Sequence, residues 1–192
     1  MKHAASLLSC LLVVLTGCST LKPVKDSSVR HVLEPLVADR ALTSSVPSIA
    51  INRPSIPTYL DRMQLITRAD GQLMLSKIDL WAEPLDSAIS RVTASNLSRL
   101  TGSMAIRPVE NFTTLDYTSL LEINITQFEP DTSNQMIFQG TWKLQPVSRV
   151  ETSPHYFRFV LPLNPLPSAM GDRVTAMNQA LEQLARQIVN HQ

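Results

Sequence analysis

Two long segments in which apolar and polar residues alternate constrain the fold more than any other feature of the sequence. Apolar residues occupy every second position from Leu121 to Ile125 within the segment 117–128, and a similar alternation recurs over 136–144. The residues between the segments, EPDTSN, are typical turn formers. A period of two places apolar side chains on one face of a strand. The pattern therefore predicts an antiparallel hairpin with one buried face, which other elements must cover.

Two other segments have the period of a helix and can supply that cover. Pro84 suits the first turn of a helix, where the missing N–H is not needed, and apolar residues follow it at helical spacing. We predict a helix over 83–100 that ends near Gly102. A second apolar stripe runs over 170–188 at spacings of three and four residues. This stripe favours a core-facing helix, and a seam between copies of the chain in a homo-oligomer stays open as an alternative.

Shorter strands are expected on both sides of the first helix. They are predicted, in chain order, at 31–37, 48–52, 63–68, 72–75 and 155–161. The dipeptide Asp70-Gly71 favours a tight hairpin turn between the third and fourth of these. The order of strands, helix, strands and helix predicts an α/β protein of the α+β two-layer type. We expect a twisted, mixed and largely antiparallel sheet with two long helices packed on it.

Composition and charge exclude several classes of function. The chain has 17 Lys and Arg residues against 16 Asp and Glu, without a dense basic run, so we expect no binding of nucleic acid. Its two cysteines, Cys10 and Cys18, both lie near the start. The rest of the chain therefore has neither a disulfide framework nor a zinc site built from cysteines.

The residue patterns of common catalytic and metal sites are missing from the sequence. The four histidines show no metal-binding spacing, and the glycines are isolated, so no phosphate-binding loop is formed. Asp79, Glu83 and Asp86 are close in sequence and could form an acid pair or bind a metal. Acidic residues at the start of a helix, where the dipole favours them, are the preferred interpretation. We therefore predict no enzyme, no cofactor and no metal.

The first residues have the layout of a secretory signal. Lys2 precedes a short apolar stretch, residues 4–15, which is too short to span a bilayer. The stretch ends in Leu15-Thr16-Gly17-Cys18, which resembles the bacterial lipobox. In that class of protein the cysteine thiol receives a diacylglycerol, the chain is cut before the cysteine, and the new amine is acylated. The resemblance makes Cys18 the lipidated first residue of the mature chain.

This interpretation divides the chain into three parts. Residues 1–17 are the predicted signal peptide, 18–29 an acylated tether, and 30–192 a single domain. Three acyl chains hold a protein on a bilayer far more firmly than one, which binds only marginally. Ser19 follows the cysteine in place of Asp, which in the sorting rule of enteric bacteria favours the outer membrane. We therefore expect a lipid-anchored protein on the outer membrane that faces the periplasm.

Several short motifs follow one another in the predicted domain. They are P-T-Y-L-D-R at 57–62, W-A-E-P-L at 81–85, F-E at 128–129, W-K-L at 142–144 and A-L-E-Q-L-A at 180–185. In order and spacing they resemble the ABC-type transport auxiliary lipoproteins, the PqiC-like family. The positions shared with that family that are candidates for partner contact are Tyr59, Leu60, Asp61, Arg62, Trp81 and Pro84. Burial in the core is the alternative for these residues, and large aromatic side chains favour it.

The resemblance also implies a function and its partners. Members of this family are non-catalytic subunits that work with an MCE-domain transport protein and its membrane partner. The implied role is to dock the periplasmic tunnel of a lipid transport system at the outer membrane and to support membrane integrity. The alternatives are an assembly chaperone or pilotin-type lipoprotein for another outer-membrane machine and a periplasmic enzyme.

Overall fold

The computed structural model describes residues 25–38, 41–111, 116–148, 152–163 and 170–191. Within these ranges the chain forms eight strands and two long helices. They are β1 (Val29–His31), β2 (Ile49–Ile51), β3 (Gln64–Ala69), β4 (Gln72–Trp81), α1 (Leu85–Thr101), β5 (Ile106–Pro108), β6 (Ser119–Pro130), β7 (Gln135–Pro146), β8 (His155–Pro162) and α2 (Met170–Asn190). The predicted signal peptide and residues 18–24 of the predicted tether lie outside the described residues.

The strands form two mixed sheets, which confirms the α+β class. A three-stranded sheet has the order β1-β4-β3, and a five-stranded sheet has the order β5-β2-β6-β7-β8. The sequence predicted a single sheet, and the break lies between β2 and β3. Pro54 and Pro57 in that segment lack the N–H group that a continuous ladder requires. Isolated bridges link this segment to β6, from Ser55 to Asn124, and β3 to the residue after β6, from Arg68 to Asp131.

The long hairpin predicted from the alternating pattern is confirmed as β6 and β7. The two strands pair from Ser119–Pro146 to Pro130–Met136, with one irregularity between Ile125 and Gln127. Its apolar face is buried, and Phe128 and Phe138 of the hairpin are fully buried, as is Phe157 of the neighbouring strand β8. Their rings meet edge to face, with centroids 4.7 Å apart for Phe128–Phe138 and for Phe138–Phe157. This face of the sheet forms one side of the hydrophobic core.

The shorter hairpin is confirmed as β3 and β4. Asp70 and Gly71 both have positive φ, 47° and 78°, as a tight hairpin turn requires. Strand β4 continues to Trp81, well beyond the predicted end at residue 75. The strands predicted at 48–52 and 155–161 are present as β2 and β8.

The strand predicted over 31–37 is wrong, because the strand at this place, β1, ends at His31. The backbone beyond it bonds to helix side chains in place of a neighbouring strand. Asn178 accepts from the N–H of Glu34 at 3.0 Å, and Arg91 donates to the carbonyl of Leu33 at 2.9 Å. Arg99 donates to the carbonyl of Val37 at 2.7 Å. Leu33 is buried, and it reaches the core from irregular backbone.

Both predicted helices are confirmed. Helix α1 follows Pro84 directly and ends at Gly102, whose φ of 74° is left-handed and whose N–H donates to the carbonyl of Ser98 at 2.7 Å. Helix α2 turns its apolar stripe to α1 and the five-stranded sheet, and Leu181, Leu184 and Ile188 are fully buried. The stripe is therefore a core-facing surface, as predicted.

Candidate functional site

Three of the sequence motifs meet around one narrow apolar crevice. The motif at 57–62 contributes Leu60, the end of β4 contributes Trp81, and the end of β6 contributes Phe128. Leu60 and Trp81 are each only 3% exposed and belong to the core. Helix α2 closes the other side of the crevice. The complete lining is Leu60, Gln64, Leu65, Ile66, Trp81, Leu85, Phe128, Glu129, Pro130, Met170, Arg173 and Met177.

A buried carboxylate lies at the rim of this crevice and joins two of the motifs. Glu129 is 1% exposed, and one of its oxygens accepts from Arg68 Nε at 2.7 Å. The other oxygen accepts from the Tyr59 hydroxyl at 3.1 Å and from the N–H of Phe128 at 3.0 Å. The guanidinium carbon of Arg68 lies 5.2 Å from the centroid of the Tyr59 ring. A buried charge needs such partners, so this Glu129 network holds β3, β6 and the motif loop together.

The network shifts the titration of its members. Burial raises the pKa of Tyr59 to about 12, and the negative charge of Glu129 acts in the same direction. The hydrogen bond to Glu129 raises the pKa of Arg68 above its ordinary value. At neutral pH, Tyr59 is therefore a neutral hydrogen-bond donor and Arg68 a permanent cation. Neither group can act as a general base at neutral pH, so we assign the network a role in holding the fold and not in catalysis.

The raised pKa of Tyr59 predicts a loss of stability in alkali. In the unfolded chain this hydroxyl ionises near its ordinary pKa of 10.0, whereas in the folded chain it does so at about 12. Its contribution to folding is therefore complete below about pH 10 and is lost as the pH rises towards about 12. Urea unfolding across this range measures the loss. The Tyr59→Phe variant is expected to show a flatter pH profile, and an identical profile would contradict the assignment.

The remaining motif positions lie on the surface. Asp61 and Arg62 are exposed in the turn before β3, and Pro84 is exposed just before α1. The predicted set of contact residues is thus divided between core and surface, with Tyr59 partly buried between them. Cys18, the predicted lipidation site, lies outside the described residues.

The three neighbouring acids before and within α1 do not form a joint site. Asp79 accepts from His31 Nε2 at 2.9 Å and from the Ser76 hydroxyl at 2.8 Å. Glu83 pairs with Arg91, and Asp86 pairs with Arg53 at 3.4 Å. Burial acts to raise the pKa of Asp79, but the bonds from His31 and Ser76 outweigh it and the pKa is lowered. Across the described ranges, no group of three His, Cys, Asp or Glu residues could hold a metal.

One cluster was not predicted from the sequence. Trp142 stacks on His155 with ring centroids 4.4 Å apart, and the ring of His191 lies 5.2 Å from that of His155. The three rings line a cleft at the end of the five-stranded sheet beside the last turn of α2. Trp142 and His155 are cross-strand partners in β7 and β8. That pairing could have been predicted had the register of β8 been known, whereas the position of His191 depends on how α2 packs.

Comparison with known proteins identifies the family. Residues 31–189 match the family model described as the ABC-type transport auxiliary lipoprotein component. The protein is thus of the class of transport accessory proteins, and this family is not a known enzyme family. More particularly, the chain belongs to the ABC-type transport auxiliary lipoproteins, as the motifs indicated. No curated protein sequence matches the chain.

Solved structures share the fold at low sequence identity. The crystal structure of protein XCC0632 from Xanthomonas campestris, of the family DUF330, is 17% identical with a TM-score of 0.66, and the match covers 84% of this chain and 92% of that one. A crystal structure of an uncharacterized protein is 20% identical with a TM-score of 0.63, covering 79% of this chain and 95% of the other. Because the chain belongs to a family of lipoproteins, the protein is expected to associate with a membrane. In the described part of the chain, no helix is long and apolar enough to cross a bilayer.

Proposed function

We propose that this protein is the outer-membrane lipoprotein subunit of an MCE-type transport system. In this role the domain docks the periplasmic tunnel protein, and Cys18 anchors it in the lipid. The observation that carries the proposal is the family match over residues 31–189, which covers nearly the whole predicted domain. The lipobox ending in Cys18 supports the anchor, and Ser19 after it supports the outer membrane.

The positions of the motif residues support a division of roles. Leu60 and Trp81 are buried, and Tyr59 is tied to Glu129, so their role is to hold the fold. Asp61, Arg62 and Pro84 are exposed, so a partner can reach their side chains. We assign the contact with the transport protein to these three surface positions.

Affinity purification of the acylated protein from native membranes tests the docking role. We expect an MCE-domain protein to be recovered, and the Asp61→Ala/Arg62→Ala variant to recover several-fold less of it. A matched control is Glu182→Ala/Arg186→Ala, which removes an exposed ion pair from α2. Failure to recover any MCE-domain protein would overturn the proposal. Loss of one particular outer-membrane protein on deletion would instead favour an assembly chaperone or pilotin.

The lipid anchor gives a separate prediction. Cys18→Ala removes the thiol that the lipobox resemblance marks for diacylglycerol transfer. The variant is expected to incorporate no labelled fatty acid and to remain as an unprocessed precursor outside the outer membrane. Metabolic labelling followed by membrane fractionation measures both effects. Equal labelling of the variant and the unaltered chain would contradict the assignment of Cys18.

A further inference from the structure

A row of exposed apolar side chains follows the outer edge of the three-stranded sheet. Val29 at the start of β1 is 48% exposed, and Met74, Leu75 and Ile78 of β4 are 57%, 43% and 47% exposed. Val29 pairs with Asp79, next to Ile78, so the four residues follow one edge over roughly 15 Å. Met74 and Leu75 are consecutive in a regularly paired part of β4, so their side chains point to opposite faces of the sheet, and the edge carries apolar side chains on both faces. We call these four residues the β4 edge.

The β4 edge lacks a neighbouring strand over most of its length. Strand β1 pairs with β4 only from Asp79 to Trp81, and no described strand lies beside 72–78 on that side. The backbone is irregular here, because the pairing of β4 with β3 shifts register between Leu75 and Leu80. The Ser76 hydroxyl accepts from the N–H groups of Ile78 and Asp79 at 3.3 and 2.9 Å in the same stretch. Such irregularity, with an exposed Lys77 beside it, opposes the addition of another strand. A partner at this edge is therefore expected to contact the exposed side chains and not to pair with the backbone as a further strand.

The predicted tether leaves the domain beside this edge. Strand β1 runs parallel to β4, so the residues before Val29 continue from the end of β1 that lies next to Ile78. Cys18 lies eleven positions before Val29, a distance of at most roughly 38 Å for extended chain. A domain of this size is roughly 40 Å across. Such a tether keeps this side of the domain within roughly 38 Å of the bilayer surface.

The turn between β3 and β4 lies near one end of the long hairpin. Strand β3 meets β6 at the bridge from Arg68 to Asp131, just beyond the last residue of β6. At the other end of β6, the N–H of Val147 donates to the carbonyl of Thr118 at 3.0 Å. Val147 is also 55% exposed, so the chain carries a comparable apolar side chain outside the β4 edge, roughly 35 Å along β6 from the bridge at Asp131.

We propose that the β4 edge rests in the headgroup region of the bilayer in which Cys18 is anchored. The inference rests on the lipid anchor of the proposed function. When exposed apolar side chains next to a membrane attachment enter the interface, the free energy of the system falls, because apolar surface is removed from water. Lys25, Arg30 and Lys77 flank the edge and suit lipid phosphates, while Asp26 and Asp70 are exposed nearby. Apolar contact therefore carries the interaction, and it sets the orientation of the domain on the membrane.

Single introduced cysteines test this orientation in the acylated full-length protein. The chain has no cysteine after Cys18, and the sulfur of an acylated Cys18 is already in a thioether. Ile78→Cys and, as the matched control, Val147→Cys are labelled with a polarity-sensitive dye. The proteins are then reconstituted in vesicles of phosphatidylethanolamine and phosphatidylglycerol that contain brominated lipid. We expect strong quenching and a blue shift at position 78 and neither at position 147.

A second variant isolates the contribution of the apolar side chains. With the dye at Val29→Cys, the changes Met74→Ser, Leu75→Ser and Ile78→Ser are expected to reduce the quenching by roughly fivefold or more. Equal quenching at positions 78 and 147 would overturn the proposal. So would shielding of position 78 that depends on protein concentration, which indicates a second copy, or on added transport protein. Loss of fatty-acid labelling at Cys18 would instead show that the anchor itself is absent.

Discussion

Arg68→Ala is expected to lower the free energy of unfolding by about 3 kcal/mol. The change leaves the Glu129 carboxylate, which is 1% exposed, without its cationic partner. Removing one partner of a buried pair typically has an effect of this size, because the remaining charge is neither solvated nor neutralised. Tyr59 and the N–H of Phe128 still donate to Glu129, and Arg68 itself is 33% exposed, so the loss lies at the lower end of the range. Urea unfolding of the two proteins measures the difference.

An exposed ion pair supplies the control for this prediction. Arg186 and Glu182 pair one turn apart on α2, with the Arg186 side chain 55% exposed. Arg186→Ala is expected to change stability by less than about 0.5 kcal/mol, since exposed pairs contribute little. The double change Arg68→Met and Glu129→Leu, which removes both charges, is expected to be less destabilising than Arg68→Ala alone. A loss at Arg68 no greater than at Arg186 would show that Glu129 is not held by this pair.

The elements that sequence reasoning predicted well are those with a strong local pattern. The β6–β7 hairpin follows from alternation, and the turn at Asp70-Gly71 from its dipeptide. Each is determined by residues that are neighbours in the chain. The segment 32–37 has an apolar pattern too, but it forms no strand. Its backbone groups bond to Asn178 and Arg91, and no local pattern reveals partners so distant in sequence.

The same limit applies to the candidate site. Motif order pointed to Tyr59 and Trp81, but no local pattern indicates that Tyr59 bonds to Glu129, 70 positions later. Arg68 and Glu129 are 61 positions apart, and the tertiary fold, which bridges Arg68 to Asp131, brings them together. Burial was the alternative for the motif positions, favoured by large aromatic side chains, and the structure places Leu60 and Trp81 in the core. Residue type was thus informative about burial and uninformative about pairing.

Gly140→Ala is expected to destabilise the protein by about 3 kcal/mol or more. Gly140 is buried in β7 and pairs with Ile125 on one side and Phe157 on the other. A Cβ at this position would collide with the carbonyl oxygen of Asn124, which is backbone and cannot rotate away. Since β7 lies between β6 and β8, it cannot move from one neighbour without approaching the other. The strain must separate β6 from β7 at the centre of the sheet.

Gly171→Ala is the matched control, because nothing lies within 4 Å of a Cβ built there. Gly171 is in the first turn of α2, where alanine has the higher helix propensity, so this change is expected to stabilise the protein by up to about 1 kcal/mol. Urea unfolding followed by circular dichroism compares the two variants under one condition. If Gly140→Ala unfolds at the same urea concentration as the unaltered chain, the irregularity between Ile125 and Gln127 has absorbed the added methyl group. A large loss at Gly140 with none at Gly171 would assign the effect to the close approach of the two strands.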